Sequence, residues 1–150
     1  MRVIQCCILF IVMALSGCVS ASVQDEKLAA RQAGEFCDVA FIRHDAVQAY
    51  ALLLEQTKQS IPADKFAGIL VQMHPSGYPN IVKAIEYEPL PGQRAMNIIL
   101  VGENSSEKFY YRLVMAGDAV SGYRVAGLFR SNGPYPGNPN LRGAKLLAPL

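Results

Sequence analysis

Apolar residues recur along this chain with two different periods, and the change falls near residue 80. From Leu28 the positions Ala29, Ala33, Phe36, Cys37, Ala40 and Phe41 follow one another at steps of three and four, the spacing of one helical face. Arg43-His44-Asp45 interrupts that stripe. Asp45 followed three residues later by Gln48 resembles a capping box, opening a second helix to about Gln56 with Val47, Tyr50, Leu53 and Leu54 turned inward. Ser60-Ile61-Pro62 restarts the chain, since proline is tolerated in a first helical turn, and Phe66, Ile69, Leu70 and Met73 make a third apolar face. The run His74-Pro75-Ser76-Gly77-Tyr78-Pro79 cannot continue a helix and predicts a turn.

Beyond that turn the period becomes two. Four strand-like runs follow, Ile81 to Glu88, Arg94 to Val101, Lys108 to Met115 and Gly122 to Arg130. In the third, Phe109, Tyr111, Leu113 and Met115 share one face; in the fourth, Tyr123, Val125 and Phe129 alternate with Arg124, Ala126, Leu128 and Arg130. Short turn-forming connectors, among them Gly117-Asp118, predict an antiparallel meander. Helices first and strands afterwards predict an α+β domain over 28–130, with N-terminal helices packed on a four-stranded antiparallel sheet. Residues 131–150 shift to proline, glycine and asparagine, where no regular element is expected; Leu146-Leu147 and Leu150 either dock on the domain or hang loose.

The first residues have a different character. Arg2 precedes an almost wholly apolar run, Val3 to Leu15, the shape of a secretory signal. As a helix it spans about 20 Å, short of the roughly 30 Å hydrocarbon core, so a cleaved leader is expected rather than a permanent span. Leu15-Ser16-Gly17-Cys18 resembles the bacterial lipobox, in which the cysteine is diacylated on sulfur and becomes the new N-terminus. That resemblance implies a leader over 1–17, lipidation at Cys18, a tether over 18–27 and membrane lipid as the partner of the acylated cysteine. Two or more acyl chains suffice for stable anchoring. Val19 after the cysteine implies, in a Gram-negative host, the periplasmic side of the outer membrane. The alternative is an ordinary cut after Val19-Ser20-Ala21, which releases a soluble periplasmic protein. Of four cysteines, Cys6 and Cys7 belong to the leader and Cys18 to the lipid, which leaves Cys37 without a disulfide partner and predicts its burial.

The order of elements resembles the cone-shaped nuclear-transport-factor-two-like superfamily, also called SnoaL-like or cystatin-like, over Leu28 to Arg130. Gly122-Tyr123-Arg124-Val125-Ala126-Gly127-Leu128-Phe129 is similar to the last strand of secreted members, and Tyr110-Tyr111-Arg112-Leu113-Val114 to the strand before it. The resemblance implies a curved sheet closing a cone. It does not choose a function, because members include dehydratases, isomerases and exported domains without an assigned activity. Enzymatic members place an aspartate, histidine or tyrosine in the cone, and this chain offers His44-Asp45, His74, Tyr50, Tyr78, Tyr87 and Tyr111. Asp45 has a capping use. His74 and Tyr78 are the pocket candidates, brought together if the loop forms a rim; the plainer reading leaves His74 in solvent and the tyrosines in the sheet and core.

Other chemistry is not signalled. Glu86 and Glu88 share a strand face expected to be solvated, and two histidines and one thiol far apart make no zinc motif. No phosphate loop, serine elbow or nucleotide fingerprint is present, so neither metal nor cofactor is expected. Fourteen basic and twelve acidic residues give a net charge of +2, which makes no case for nucleic acid. After Asp118 the chain carries Arg124, Arg130, Arg142 and Lys145 and no acid, a solvated end or a weak attraction for anionic headgroups. Three readings follow: a binding module for a partner protein or small apolar ligand, a structural accessory that dimerises through its sheet, and a small dehydratase or isomerase. A hollow cone with a polar residue at its base favours the enzyme; a filled one favours the first two.

Overall fold

The computed structural model describes residues 23–136 and the backbone of residues 145–146. The leader, Cys18, Leu147 and Leu150 lie outside the described residues. The first helix, α1 (Glu26–Cys37), is capped by Asp25, whose carboxylate accepts the Leu28 N–H at 2.9 Å. Its buried face is Ala29, Ala30, Ala33, Phe36 and Cys37, and it packs across all four strands of the meander. The alanines let the helix axis approach the sheet closely. The helix then widens into a π-helical turn, Asp38–Ile42, closed by the Arg43 N–H on the Asp38 carbonyl at 2.9 Å. The wider turn buries three consecutive residues, Val39, Ala40 and Phe41.

Asp45 caps the next helix as its spacing predicts, accepting the Gln48 N–H at 2.9 Å. That helix is shorter than expected. It is divided into α2 (Ala46–Ala51) and α3 (Glu55–Ser60), and Val47 faces solvent instead of the core. Between them Leu53 forms a parallel bridge with Val125: the Leu54 N–H donates to the Val125 carbonyl at 2.9 Å and the Val125 N–H to the Leu52 carbonyl at 3.1 Å. The backbone groups of a sheet edge need partners, and here that need overrides the helical preference of the sequence. Helix α4 (Ala63–Gln72) buries Phe66 and Leu70.

Four strands follow, β1 (Ile81–Pro89), β2 (Ala95–Glu103), β3 (Lys108–Asp118) and β4 (Gly122–Ser131), each antiparallel to the one before it. The fold is therefore α+β with its helices first, as expected. A two-residue strand, β5 (Lys145–Leu146), pairs with the free side of β1 where the sequence suggested no regular element, giving the order β4-β3-β2-β1-β5.

Two bulges decide which side chains face the helices. In β1 the register slips at Ile85, so Val82 and Ala84 face inward before it and Tyr87 after it, while Glu86 and Glu88 turn to the other face. Glu88 is nonetheless buried, at 7 % exposure, with Asn97 Nδ2 donating to it at 3.3 Å, which corrects the expectation of a solvated carboxylate pair. In β4 the slip falls at Ala126. Tyr123 and Val125 face inward, but beyond the bulge Leu128 and Arg130 take that side and Phe129 faces out, the reverse of plain alternation. In β3 no slip occurs, and Phe109, Tyr111, Leu113 and Met115 are all buried beneath the helices, each side chain of that size stabilising the fold by roughly 1.5–3 kcal/mol.

The β3–β4 turn depends on Gly117, at φ 138°, where a Cβ would run into the Gly122 carbonyl. Gly117→Ala is expected to lower stability by at least the strain of about 1–3 kcal/mol. Gly68→Ala in α4, where a Cβ meets nothing within 4 Å, should raise it by about 0.5–1 kcal/mol. Urea unfolding of both variants checks the pair; equal effects of one sign would refute the assignment.

Candidate functional site

The two pocket candidates do meet. His74 follows the C-terminal end of α4, and the turn after it brings Tyr78 back so that the two rings stack, with centroids 4.3 Å apart and planes at 20°. Phe41 packs on His74 at 4.7 Å, and His44, held at φ 55°, sets its ring edge-on to Tyr78 at 4.4 Å. Asn104 fixes the turn to the sheet by donating from Nδ2 to the Tyr78 carbonyl at 3.1 Å.

His74 is not a solvent-exposed turn residue; it is only 4 % exposed. Its Nδ1 lies 2.8 Å from the Leu70 carbonyl and its Nε2 lies 2.8 Å from the Tyr111 hydroxyl. A carbonyl can only accept, so in the neutral ring Nδ1 carries the proton and Nε2 accepts from Tyr111. Burial lowers the imidazole's pKa, and nearby Arg130 works in the same direction against the raising effect of the Leu70 carbonyl. Burial likewise pushes the Tyr111 phenol well above its usual range, so it stays a donor. Both ring nitrogens are occupied, and the pair fastens α4 to β3 rather than offering a base to a substrate.

The cone expected from the family likeness would need space here. Instead Phe36, Phe41, Phe109, Tyr111, Met96 and Leu113 fill the volume between helices and sheet. Cys37 is fully buried among them, and burial pushes its thiol up. Among the described residues no three histidine, cysteine, aspartate or glutamate side chains gather as metal ligands.

A groove of about 650 Å³ opens beside this cluster, between α4 and β4. Ile69 and Met73 form one wall, Leu128 and Phe129 the other, with Glu107 and Arg130 at its end. Arg130 lies over the Phe109 ring at 4.7 Å, donates to the Met73 carbonyl at the end of α4 and pairs with Glu107 at 3.6 Å; Glu107 also accepts the Ser76 hydroxyl at 2.8 Å. Past Ala126, no described residue pairs with the outer edge of β4. The sequence did not point to this groove, since Leu128 and Arg130 reach it only through the bulge at Ala126. Gly127, inside a strand, was the one signal, because an interior strand glycine often marks a bulge. On the outer face Arg112 lies over Phe129 at 4.7 Å and over Tyr135 at 5.4 Å.

A buried neutral histidine has a pH signature. Below the ordinary imidazole value of about 6.5 the unfolded chain binds a proton that the folded chain does not, so His74's contribution is whole above that value and falls as pH drops below it. Thermal unfolding should show the melting temperature declining between pH 7 and 5, with a flatter profile in His74→Gln. Tyr111→Phe, which leaves Nε2 without its donor, is expected to cost about 1–3 kcal/mol. A profile unchanged by His74→Gln would refute the role. Comparison of the chain with family models, with curated proteins and with solved structures finds no match.

Proposed function

We propose that this chain is a lipid-anchored envelope protein that works as an interaction module, holding an extended segment of a partner polypeptide in the groove beside β4. The observation that carries this reading is the contrast between a filled interior and an open groove along a strand edge that no described residue pairs. From Gly127 to Ser131 every second residue turns its backbone N–H and C=O away from β3, a row with which another extended backbone can pair. The upstream part of the same edge already takes Leu52–Leu54 in that way. Side chains of an added strand would alternate between the Ile69, Met73 and Leu128 wall and the exposed Phe129.

Anchoring through Cys18 is supported by the leader pattern, and the periplasmic face of the outer membrane is its expected address, with soluble release after Ala21 as the alternative. The likeness to nuclear-transport-factor-two-like domains is supported by helices leading into a meander and by the bulges in β1 and β4, which would curl the sheet. Pairing of β4 with a second copy is the second reading, favoured by the exposure of Phe129 beside the free edge. A dehydratase or isomerase is not favoured, because the His74 nitrogens are both engaged.

Cys18→Ser is expected to move the protein from the membrane to the soluble periplasmic fraction; membrane association that persists without acyl mass on the N-terminal peptide would reject the anchor. For the groove, a photo-crosslinking residue at Gln72 in cells should give a discrete adduct that one at exposed Lys83 does not, reduced by Leu128→Asp. An adduct of twice the chain mass would favour the dimer. Equal labelling at the two positions would reject the groove.

A further inference from the structure

The described chain begins at one end of the sheet and is fastened there. The Val23 carbonyl accepts the Ala119 N–H at 3.0 Å, and the Asp25 N–H donates to the Tyr123 hydroxyl at 2.9 Å. The β1–β2 turn lies at the same end, since the Gly117 N–H donates to the Arg94 carbonyl at 2.8 Å. The groove and the His74 cluster lie at the other, beside Glu107 and Ser131.

The residue at the tip of the β3–β4 turn is Val120, 93 % exposed, with Val23 next to it at 63 %. Valine is out of place there. Turns favour glycine, asparagine, aspartate and serine, and a β-branched apolar side chain gains nothing from standing in water. Nor is the turn loose: the Asp118 carboxylate accepts the Val120 N–H at 3.0 Å and the Ser121 N–H and hydroxyl at 2.8 Å each, and it pairs with Arg94. The Ser121 bonds above all hold its pKa at about 2, so the turn keeps this shape through ordinary acid conditions. The fixed turn holds Val120 outward, toward whatever this end of the sheet faces.

The length of chain in front of Val23 says what. Four residues lie between it and Cys18, and the five steps from Cys18 to Val23 reach at most about 18 Å when fully extended. Strand β3, with 11 residues, is about 35 Å long. A domain tethered at Cys18 therefore keeps the Val23 end within reach of the bilayer, and its groove end can stand a strand's length farther out. The charges of this end cancel, with Asp25, Glu26 and Asp118 against Lys27, Arg94 and Arg124, so the surface fits a lipid interface without needing anionic headgroups.

We propose that Val120, together with Val23, rests in the interfacial region of the same bilayer that holds the acylated Cys18, so that the domain stands on this end and presents the α4–β4 groove away from the membrane. The inference rests on the anchored reading given above, and the two can fail separately. The test uses the mature acylated protein in phosphatidylcholine vesicles, with an environment-sensitive nitrobenzoxadiazole probe on Val120→Cys or, at the opposite end, on Ser105→Cys. Cys37, buried in the core, stays unlabelled. The probe at 120 should shift to the blue, brighten several-fold and be quenched by a lipid-borne quencher, equally with and without anionic lipid; the probe at 105 should stay in water. Acylated protein that floats with vesicles yet keeps the 120 probe in water overturns the docking and leaves the anchor standing. A chain without acyl mass that does not float overturns both. A blue shift that vanishes on diluting the protein in the bilayer would place a second copy, not lipid, against the tip and would also overturn the docking.

Discussion

Side chains along a strand alternate between its two faces, so one inserted residue reverses every assignment after it. Two such insertions, at Ile85 and Ala126, determine what this protein buries. Without the first, Glu86 and Glu88 would continue the inward row of Val82 and Ala84 and bring two carboxylates opposite the buried Ile98 and Met96. With it, Tyr87 takes the inward place and Glu88 meets Asn97 on the far face. Without the second, Leu128 and Arg130 would point away from the helices, and neither the apolar wall of the groove nor the Arg130 contacts with Met73, Glu107 and Phe109 would exist. The bulge at Ala126 also lies directly beyond Val125, where Leu53 ends its pairing with the strand edge.

These parity changes explain which parts of the structure were legible beforehand. The face of β3 is legible because it runs without a slip, and proline and glycine mark the start of β1 and the β1–β2 connector, whereas β2 and β3 run on through Gly102 and Gly117, where turns are expected. The stripe from Ala29 to Phe41 was legible as well, although the helix widens to a π turn to keep Phe41 inside. The break in the second helix is not legible, since the pattern from Asp45 to about Gln56 is helical and only the need of β4's edge for partners draws Leu52–Leu54 out of it. A demand arising some seventy residues later leaves no mark in a local window. The same holds for His74: proline and glycine foretold the turn, but its burial depends on Tyr111 and Phe41, which reach it from β3 and from the first helical segment.

A histidine with two short hydrogen bonds, stacked between aromatic rings, is sometimes the base of an active site. Here the geometry argues otherwise. Catalysis would require one imidazole nitrogen to exchange its partner for a substrate proton, and each would leave behind a buried group that costs about 1–3 kcal/mol when unpaired. Among the described residues Tyr111 and Phe109 pack against the His74 ring on this side, with centroids 5.8 and 6.0 Å away. The cluster acts as a fastening between the end of α4, the turn before β1 and the middle of β3, and the groove inherits its shape from that fastening through Pro75 and Ser76.

Exposed strand edges are a liability that folded proteins usually suppress, by covering them, charging them or breaking them with bulges. Among the described residues this chain covers part of each edge. Leu52–Leu54 covers the first part of β4, and β5 pairs with the free side of β1. The stretch from Gly127 to Ser131 has no backbone partner on its outer side among the described residues, and it is recessed beside α4, bounded by the bulge at one end and by the Arg130–Glu107 pair at the other. A flat sheet cannot slide onto an edge walled on one side by Ile69 and Met73, whereas a single extended segment can enter. Walls of this kind fit the proposed reading, in which a single extended segment, rather than another sheet, pairs with this edge.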